Sequence, residues 1–396
     1  MRALLSELDK QNRLGKFFTN IGTAQGSRLI PMLFGNRRHY SITSQQLNTH
    51  FFPEIIRLLS FGRKSQEVKR AEVDRVYQSV DIRVSGSLSD LQNEIDFIHA
   101  YEDGALNSFA RAKELGIFRS YELPIAHWTT ARLLLAQEAE RFPSWEPTLE
   151  STREPEEKLV RKEQELALAN CITCPSKFVL ESIPEKIRQN TPCQIAPFGS
   201  TFSDQVFHPK KVGRSNKLKL LFVGSMSQRK GLADLFEAMK LVNSAHVSLS
   251  ILGTPSLPMS FYKKAYSHFE YFSPRSSKGV RRVMQEHHVL VLPSIIEGRA
   301  LVQQEALACG LPLIVTRNAG GEDLIEEERT GFLVSIRKPE EIAERIDWFS
   351  RNLRKIDEMS EYCHKKAKEY QWSEYANSII NFCLRIRSES IDTRSE

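Results

Sequence analysis

The sequence predicts an α/β protein of two doubly wound parallel-sheet lobes facing across a cleft, on three observations. A chain of 396 residues is too long for one ordinary hydrophobic core and fits two. Short apolar runs alternate with longer amphipathic stretches, the pattern of parallel strands joined by helices. Runs such as Val289-Leu290-Val291-Leu292 are apolar without interruption, so helices are expected on both faces of their sheet.

In the first half, Asp96–His99, Ser120–Leu123, Cys171–Thr173 and Gln194–Ala196 read as strands between helical patterns. Arg141 to Glu157, with Pro143, Pro147, Pro155 and many charges, reads as an exposed loop near the cleft. Phe198 to Pro209, rich in turn formers, reads as the hinge between lobes. In the second half Leu218–Val223, Val247–Leu252, Val289–Leu292 and Leu313–Val315 are strands, and Leu232–Val242, Gly279–Glu286 and Leu301–Ala308 are helices. The division is therefore 1–197 for an N-terminal lobe and 198–368 for a C-terminal lobe. Residues 369–396 form a terminal helix returning to the first lobe.

The composition, 41% hydrophobic and 26% charged, is that of a soluble globular chain. No run approaches the ~18 uninterrupted apolar residues of a spanning helix. Arg2, Glu7, Asp9 and Lys10 break any secretory signal, so cytoplasmic residence is the expectation. Six scattered cysteines make no disulfide framework, and Cys171-x-x-Cys174, without a second pair or nearby histidines, reads as buried thiols. Basic residues cluster early: Arg37, Arg38, His39, Arg63, Lys64, Lys69 and Arg70. They read either as a solvated face or as a peripheral contact with anionic lipid at the inner membrane face. No nucleic-acid motif accompanies them, so nucleic acid is not an expected partner.

The most informative segment runs from Pro293 to Pro312. A strand ends at Pro293, a short loop carries Glu297 and Gly298, and a helix begins near Arg299. A helix start at the carboxyl end of a parallel strand offers amides and a positive dipole end to a phosphate. Glu305 lies about two helical turns beyond Glu297, so both carboxylates are expected on one wall of a pocket, one for a sugar and the other for ribose hydroxyls. After the strand Leu218–Val223, Gly224 permits a tight turn, and Arg229 and Lys230 arrive just before a helix. Two cations there suit a diphosphate and the charge that develops as it leaves.

Glu297 and Glu305 with seven residues between, followed by Ala-Leu-Ala-Cys-Gly-Leu-Pro, resemble the Glu-x7-Glu signature of family 4 (group 1) retaining glycosyltransferases. Their fold is GT-B, two Rossmann-like domains across a cleft. The resemblance spans roughly Tyr40 to Tyr375. It implies that Gly224, Arg229, Lys230, the amides from Arg299 through Ala300 to Leu301, and Glu305 bind a nucleotide-sugar donor. His99, in Phe97-Ile98-His99-Ala100-Tyr101, would contact the transferred sugar, and Glu102 or Asp103 would shape the acceptor side. Asn318 to Leu324 and Thr330 to Val334 resemble the loop that closes the nucleotide pocket. No Asp-x-Asp is present to hold a metal-bound diphosphate, so a metal-independent enzyme without cofactor is expected, acting on a glycan or lipid-linked acceptor.

Two departures bear on this. Relatives open with a strand and a glycine-rich loop, whereas Met1 to Leu8 already reads as a helix, so the first lobe is expected to lack its first strand or to come from a truncated gene start. Arg299-Ala300 stands where the family often has an aromatic and a glycine. The missing strand motivates an alternative, a nucleotide-sugar-binding protein without transfer. A nicotinamide-dependent oxidoreductase would need a Gly-x-Gly-x-x-Gly turn after a strand, and there is none.

Overall fold

The computed structural model describes residues 2–25, 39–60, 66–149, 154–200, 202, 207, 209, 217–242 and 244–395. The C-terminal lobe is built on β7 (Leu218–Val223), β8 (Val247–Leu252), β9 (Phe269–Phe272), β10 (Val289–Leu292), β11 (Leu313–Thr316) and β12 (Gly331–Val334). These pair in parallel in the order β12-β11-β10-β7-β8-β9. Every residue of β10 and β11 is buried, as their unbroken apolar runs require. The order reverses between β7 and β10, and the crevice beyond their carboxyl ends is where an open α/β sheet takes its ligand.

In this lobe the sequence reading missed two strands. In β9, Phe-Glu-Tyr-Phe is a partly exposed edge with no apolar run to mark it. Thr330 to Val334 is not purely a loop, because Gly331 opens β12 at φ +149 and its α-carbon meets Leu313 so closely that a Cβ would stand 2.1 Å from the Leu313 carbonyl oxygen.

The N-terminal lobe holds β1 (Phe17–Thr19), β2 (Leu47–Thr49), β3 (Phe97–Tyr101), β4 (Phe118–Glu122), β5 (Cys171–Cys174) and β6 (Cys193–Ile195). Its four-stranded parallel sheet runs β3-β4-β5-β6, and β1 and β2 form a separate parallel pair. A short first strand is thus present, but it is not hydrogen-bonded to the main sheet. The helix Arg2–Lys10 precedes it and packs Leu4 and Leu8 against the terminal helix Trp372–Ser395, whose Tyr375, Ile379 and Cys383 cover the N-terminal lobe.

The expected hinge is described only at 198–200, 202, 207 and 209; its other residues lie outside the described set. Phe198 stacks on Trp372 at 5.9 Å, so the two chain crossings between lobes lie side by side. Arg141 to Glu157 is not an exposed loop where it is described. Pro143–Thr148 is a 3-10 helix that Pro143 opens, where its missing N–H costs no bond, and Trp145 is 4% exposed. Its indole enters the core of the C-terminal lobe, with ring centroids 6.0 Å from Phe236, 5.0 Å from Phe261 and 5.6 Å from Tyr262. Burying this large apolar ring outweighs the local signal of proline and charge. Of the early basic cluster, Arg37, Arg38, Arg63 and Lys64 lie outside the described residues.

Candidate active site

The site grows from the two strands at the switch point. After β7, Gly224 adopts φ +152 and the aliphatic stem of Lys230 packs over it. A 3-10 turn, Gln228–Lys230, ends at Gly231 with φ +72. No side chain fits at Gly231, because a Cβ would come 2.0 Å from the Pro293 carbonyl oxygen. The loop after β10 is thereby pressed against the loop after β7, and the Ile295 amide donates to the Arg229 carbonyl at 2.9 Å.

This juxtaposition brings three predicted residues together. Glu297 Oε1 lies 2.6 Å from Arg229 Nη1 and 2.5 Å from Lys230 Nζ. Arg229 also donates to the Ile296 carbonyl at 3.2 Å. Burial pushes the Lys230 ammonium below its ordinary pKa, and Arg229 adds to that while Glu297 opposes it. Two cations and one carboxylate leave a surplus of one positive charge at the mouth of the crevice, suited to an anion.

The expected amide seat from Arg299 to Leu301 is a correction. The Arg299 side chain is fully buried and forks onto Asp323 at 2.8 and 3.0 Å, with a further bond to the Gly320 carbonyl at 3.1 Å. Burial raises the Asp323 pKa, but the Arg299 charge and its hydrogen bonds outweigh this and hold it below the usual value. Arg299 is a strut for the loop 319–324. The Ala300 amide is also engaged, donating to Ala319 O at 3.0 Å, so it offers nothing to a phosphate. Leu301 opens the helix Leu301–Ala308 on its exposed side, and Glu305 lies half-buried one turn further along the same side.

His99 is a second correction. It lies inside β3, where its Nδ1 is 3.0 Å from Ser120 Oγ and its Nε2 3.2 Å from Glu122 Oε2. Glu122 accepts from the Tyr375 hydroxyl at 2.7 and 2.8 Å, so the terminal helix closes this network. The imidazole serves a buried polar cluster in the N-terminal lobe and is not among the residues that line the cavity at Glu102 and Asp103.

Glu102 and Asp103 line a cavity of about 190 Å³ together with Trp128, Arg132 and Lys162 of the N-terminal lobe and Ile296 of the C-terminal lobe. Since Ile296 precedes Glu297, the cavity adjoins the cation pair. Glu102 Oε2 is 3.4 Å from Lys162 Nζ, and Asp103 Oδ2 is 3.1 Å from Lys158 Nζ. Burial pushes the Glu102 carboxyl up to about 7 against the pull of Lys162. Asp103 holds φ +76, and its amide donates to Glu165 at 2.9 Å.

The sequence reading did not single out Lys162 or Gln228, and it gave Gly298 no role beyond its place in the loop with Glu297. Gln228 bonds Glu138 at 2.6 Å and Asp234 at 2.7 Å, tying the helix Trp128–Arg141 to the C-terminal lobe. The Gly298 carbonyl accepts from Ser176 Oγ at 2.6 Å, and a Cβ at Gly298 would stand 1.8 Å from Pro124 O. The lobes touch there, beside Glu297. Among the described residues no group of His, Cys, Asp or Glu is placed to hold a metal ion.

Known proteins match this architecture. Residues 217–352 fit the family described as Glycosyl transferases group 1. An uncharacterized 41.2 kDa protein in the cps region of Klebsiella pneumoniae is 27% identical over 168 residues, 42% of this chain and 46% of that one. An uncharacterized glycosyltransferase of Methanocaldococcus jannaschii is 27% identical over 205 residues, 51% of this chain and 55% of that one. The chain thus spans about half the length of these curated relatives. Among solved structures, sucrose-phosphate synthase from Thermosynechococcus elongatus superposes with TM-score 0.64 at 15% identity, over 98% of this chain and 92% of that one. Anabaena HepE in complex with UDP gives TM-score 0.54 at 14% identity, over 79% and 81%. Residues 217–352, most of the C-terminal lobe, are thus similar to the group 1 glycosyltransferases, and the two-lobed arrangement is the GT-B fold.

Proposed function

We propose that the protein is a retaining, metal-independent glycosyltransferase that moves a sugar from a nucleotide-sugar donor to a hydroxyl of a glycan or lipid-linked acceptor. The observation that carries this is the Arg229–Lys230–Glu297 cluster at the switch point of the lobe matched to the group 1 family. The donor diphosphate takes the surplus positive charge of Arg229 and Lys230, which stabilises it as a leaving group. Glu297 orients both cations and presents its second oxygen to the sugar. The acceptor enters the cavity at Glu102, Asp103 and Trp128, and its hydroxyl attacks the anomeric carbon on the face that the diphosphate leaves. A phosphate oxygen takes the hydroxyl proton as the new glycosidic bond forms. Contact of the lobes at Gly298 excludes water, which would otherwise hydrolyse the donor.

The burial of His99 away from the cavity favours one rival, a protein that binds the donor without transferring it. Incubation with nucleotide sugars and membrane or glycan acceptors, followed by NMR of the product anomer, separates the two. Transfer with retained configuration, unaffected by a chelator, is expected. Donor binding with neither transfer nor hydrolysis would establish the rival, and an inverted product would overturn the retaining mechanism.

A further inference from the structure

The helix Trp128–Arg141 carries one buried stripe, Ala131, Leu135 and Glu138, at helical spacing. The first two pack with Ile296 of the loop after β10 in a small apolar cluster. The third breaks the pattern, because Glu138 is 0% exposed and a buried carboxylate needs partners. It finds them on the C-terminal lobe. One oxygen accepts from Gln228 Nε2 at 2.6 Å, and the other accepts from Arg337 Nε. Arg337 holds φ +62, a left-handed backbone that side chains rarely adopt, and its guanidinium also bonds Gln137 Oε1 at 2.8 Å and the Leu134 carbonyl at 3.1 Å. The Gln228 amide also donates to Asp234 at 2.7 Å, and Arg141 closes the ring onto Asp234 at 2.5 Å. Two carboxylates and two guanidiniums thus surround one buried amide, and their charges cancel.

Gln228 opens the turn Gln228–Lys230, so the residues that follow it are the two cations bound to Glu297. Its side-chain oxygen takes the Ala233 amide at 2.9 Å, and its own backbone amide donates to Thr148 Oγ1 at 3.0 Å. A 3-10 turn this short has little bonding of its own, so these outside groups fix where its side chains point. Two of them, Glu138 and Thr148, come from the first half of the chain. The other end of the same helix lines the cavity beside Glu102 with Trp128, Ala131 and Arg132. At 1.5 Å per residue Arg132 and Glu138 stand only about 9 Å apart along the axis, so one rigid rod holds the cavity wall and the cation turn in register. Trp145, in the core of the C-terminal lobe, anchors the chain just beyond the helix, so this linkage does not depend on the contact at Gly298.

Resting on the transfer reaction proposed above, we infer that Glu138 and Thr148 are positioning residues for the donor: they hold Gln228, and through it the turn, so that Arg229 and Lys230 converge on the diphosphate beside the acceptor cavity. Inorganic pyrophosphate is the probe, since it carries the diphosphate charge without base or sugar. Its affinity for the full chain is measured by calorimetry at a temperature where thermal unfolding shows each protein folded. Glu138→Gln keeps the shape and removes the charge that Gln228 and Arg337 share, whereas Thr148→Val removes the acceptor of the Gln228 amide. Each variant should bind pyrophosphate about tenfold more weakly, the scale on which groups that orient ligand-binding side chains act at metal sites. His99→Gln, which disturbs a buried network in the same half of the chain, should bind it as tightly as the unsubstituted protein, and this separates positioning from lost stability. If Glu138→Gln does not fold, Thr148→Val decides alone. Unchanged affinity in the folded variants, or an equal loss in His99→Gln, would overturn the positioning role and leave the diphosphate seat standing. No pyrophosphate binding by the unsubstituted protein would refute the seat, and the positioning role with it.

Discussion

Replacing Lys230 by methionine tests the chemistry where the structure makes it most specific. The Lys230 ammonium stands 2.5 Å from Glu297 Oε1, which Arg229 also holds at 2.6 Å. Removing it takes the cluster from a surplus of one positive charge to neutrality, while Arg229 still pairs the carboxylate. Burial already disfavours the charged form of Lys230, so an uncharged side chain of similar length relieves that desolvation. Folding stability should therefore change by no more than about 1 kcal/mol. Loss of one preorganised charged donor to a leaving group costs about 3–4 kcal/mol in the transition state, a fall of roughly 10²–10³ in kcat. Nucleoside diphosphate release is followed with time for both proteins, and urea unfolding checks the fold. A folded Lys230→Met protein that turns over within about threefold of the unsubstituted one would refute the leaving-group role.

Three further outcomes follow from the geometry. Gly298→Ala places a Cβ 1.8 Å from the Pro124 carbonyl oxygen, so the lobes cannot meet. kcat should fall at least about tenfold, while calorimetric donor affinity, set in the C-terminal lobe, stays the same. Glu102 holds a proton up to about pH 7 in the folded protein but releases it near 4.5 when unfolded, so its contribution to stability is full below 4.5 and is lost as pH rises to about 7. Glu102→Gln should remove up to about 3 kcal/mol of that decline in urea unfolding between those pH values, at ~1.4 kcal/mol per pKa unit. His99→Gln disturbs the buried bonds to Ser120 and Glu122, so it should cost about 1–3 kcal/mol of stability and leave kcat/KM unchanged. A loss of turnover at unchanged stability would return His99 to the chemistry.

Much of the C-terminal lobe was legible because β10 and β11 are buried on both faces and, with Leu220 to Val223 of β7, write apolar runs. The glycine turns after β7 and β10 likewise mark themselves in the sequence. What was not legible depends on partners distant in the chain. Whether His99 faces a cleft or an interior is decided by the terminal helix, whose Tyr375 lies far along the sequence. Trp145 sits among prolines and charges that read as a loop, and only the hydrophobic surface it covers on the other lobe explains its burial. The amides from Arg299 to Leu301 looked like a phosphate seat by position, but the carbonyl of Ala319, in the turn after β11, claims the Ala300 amide.

The central claim is that Arg229, Lys230 and Glu297 form the seat of a nucleotide-sugar diphosphate. Thermal unfolding of the intact protein against a panel of nucleoside diphosphates and nucleotide sugars measures this directly, since a ligand of the folded state raises Tm by mass action. The account predicts that at least one base raises Tm, with the shift abolished in an Arg229→Ala/Lys230→Met protein. A panel that leaves Tm unmoved, or a shift that survives both substitutions, would contradict it.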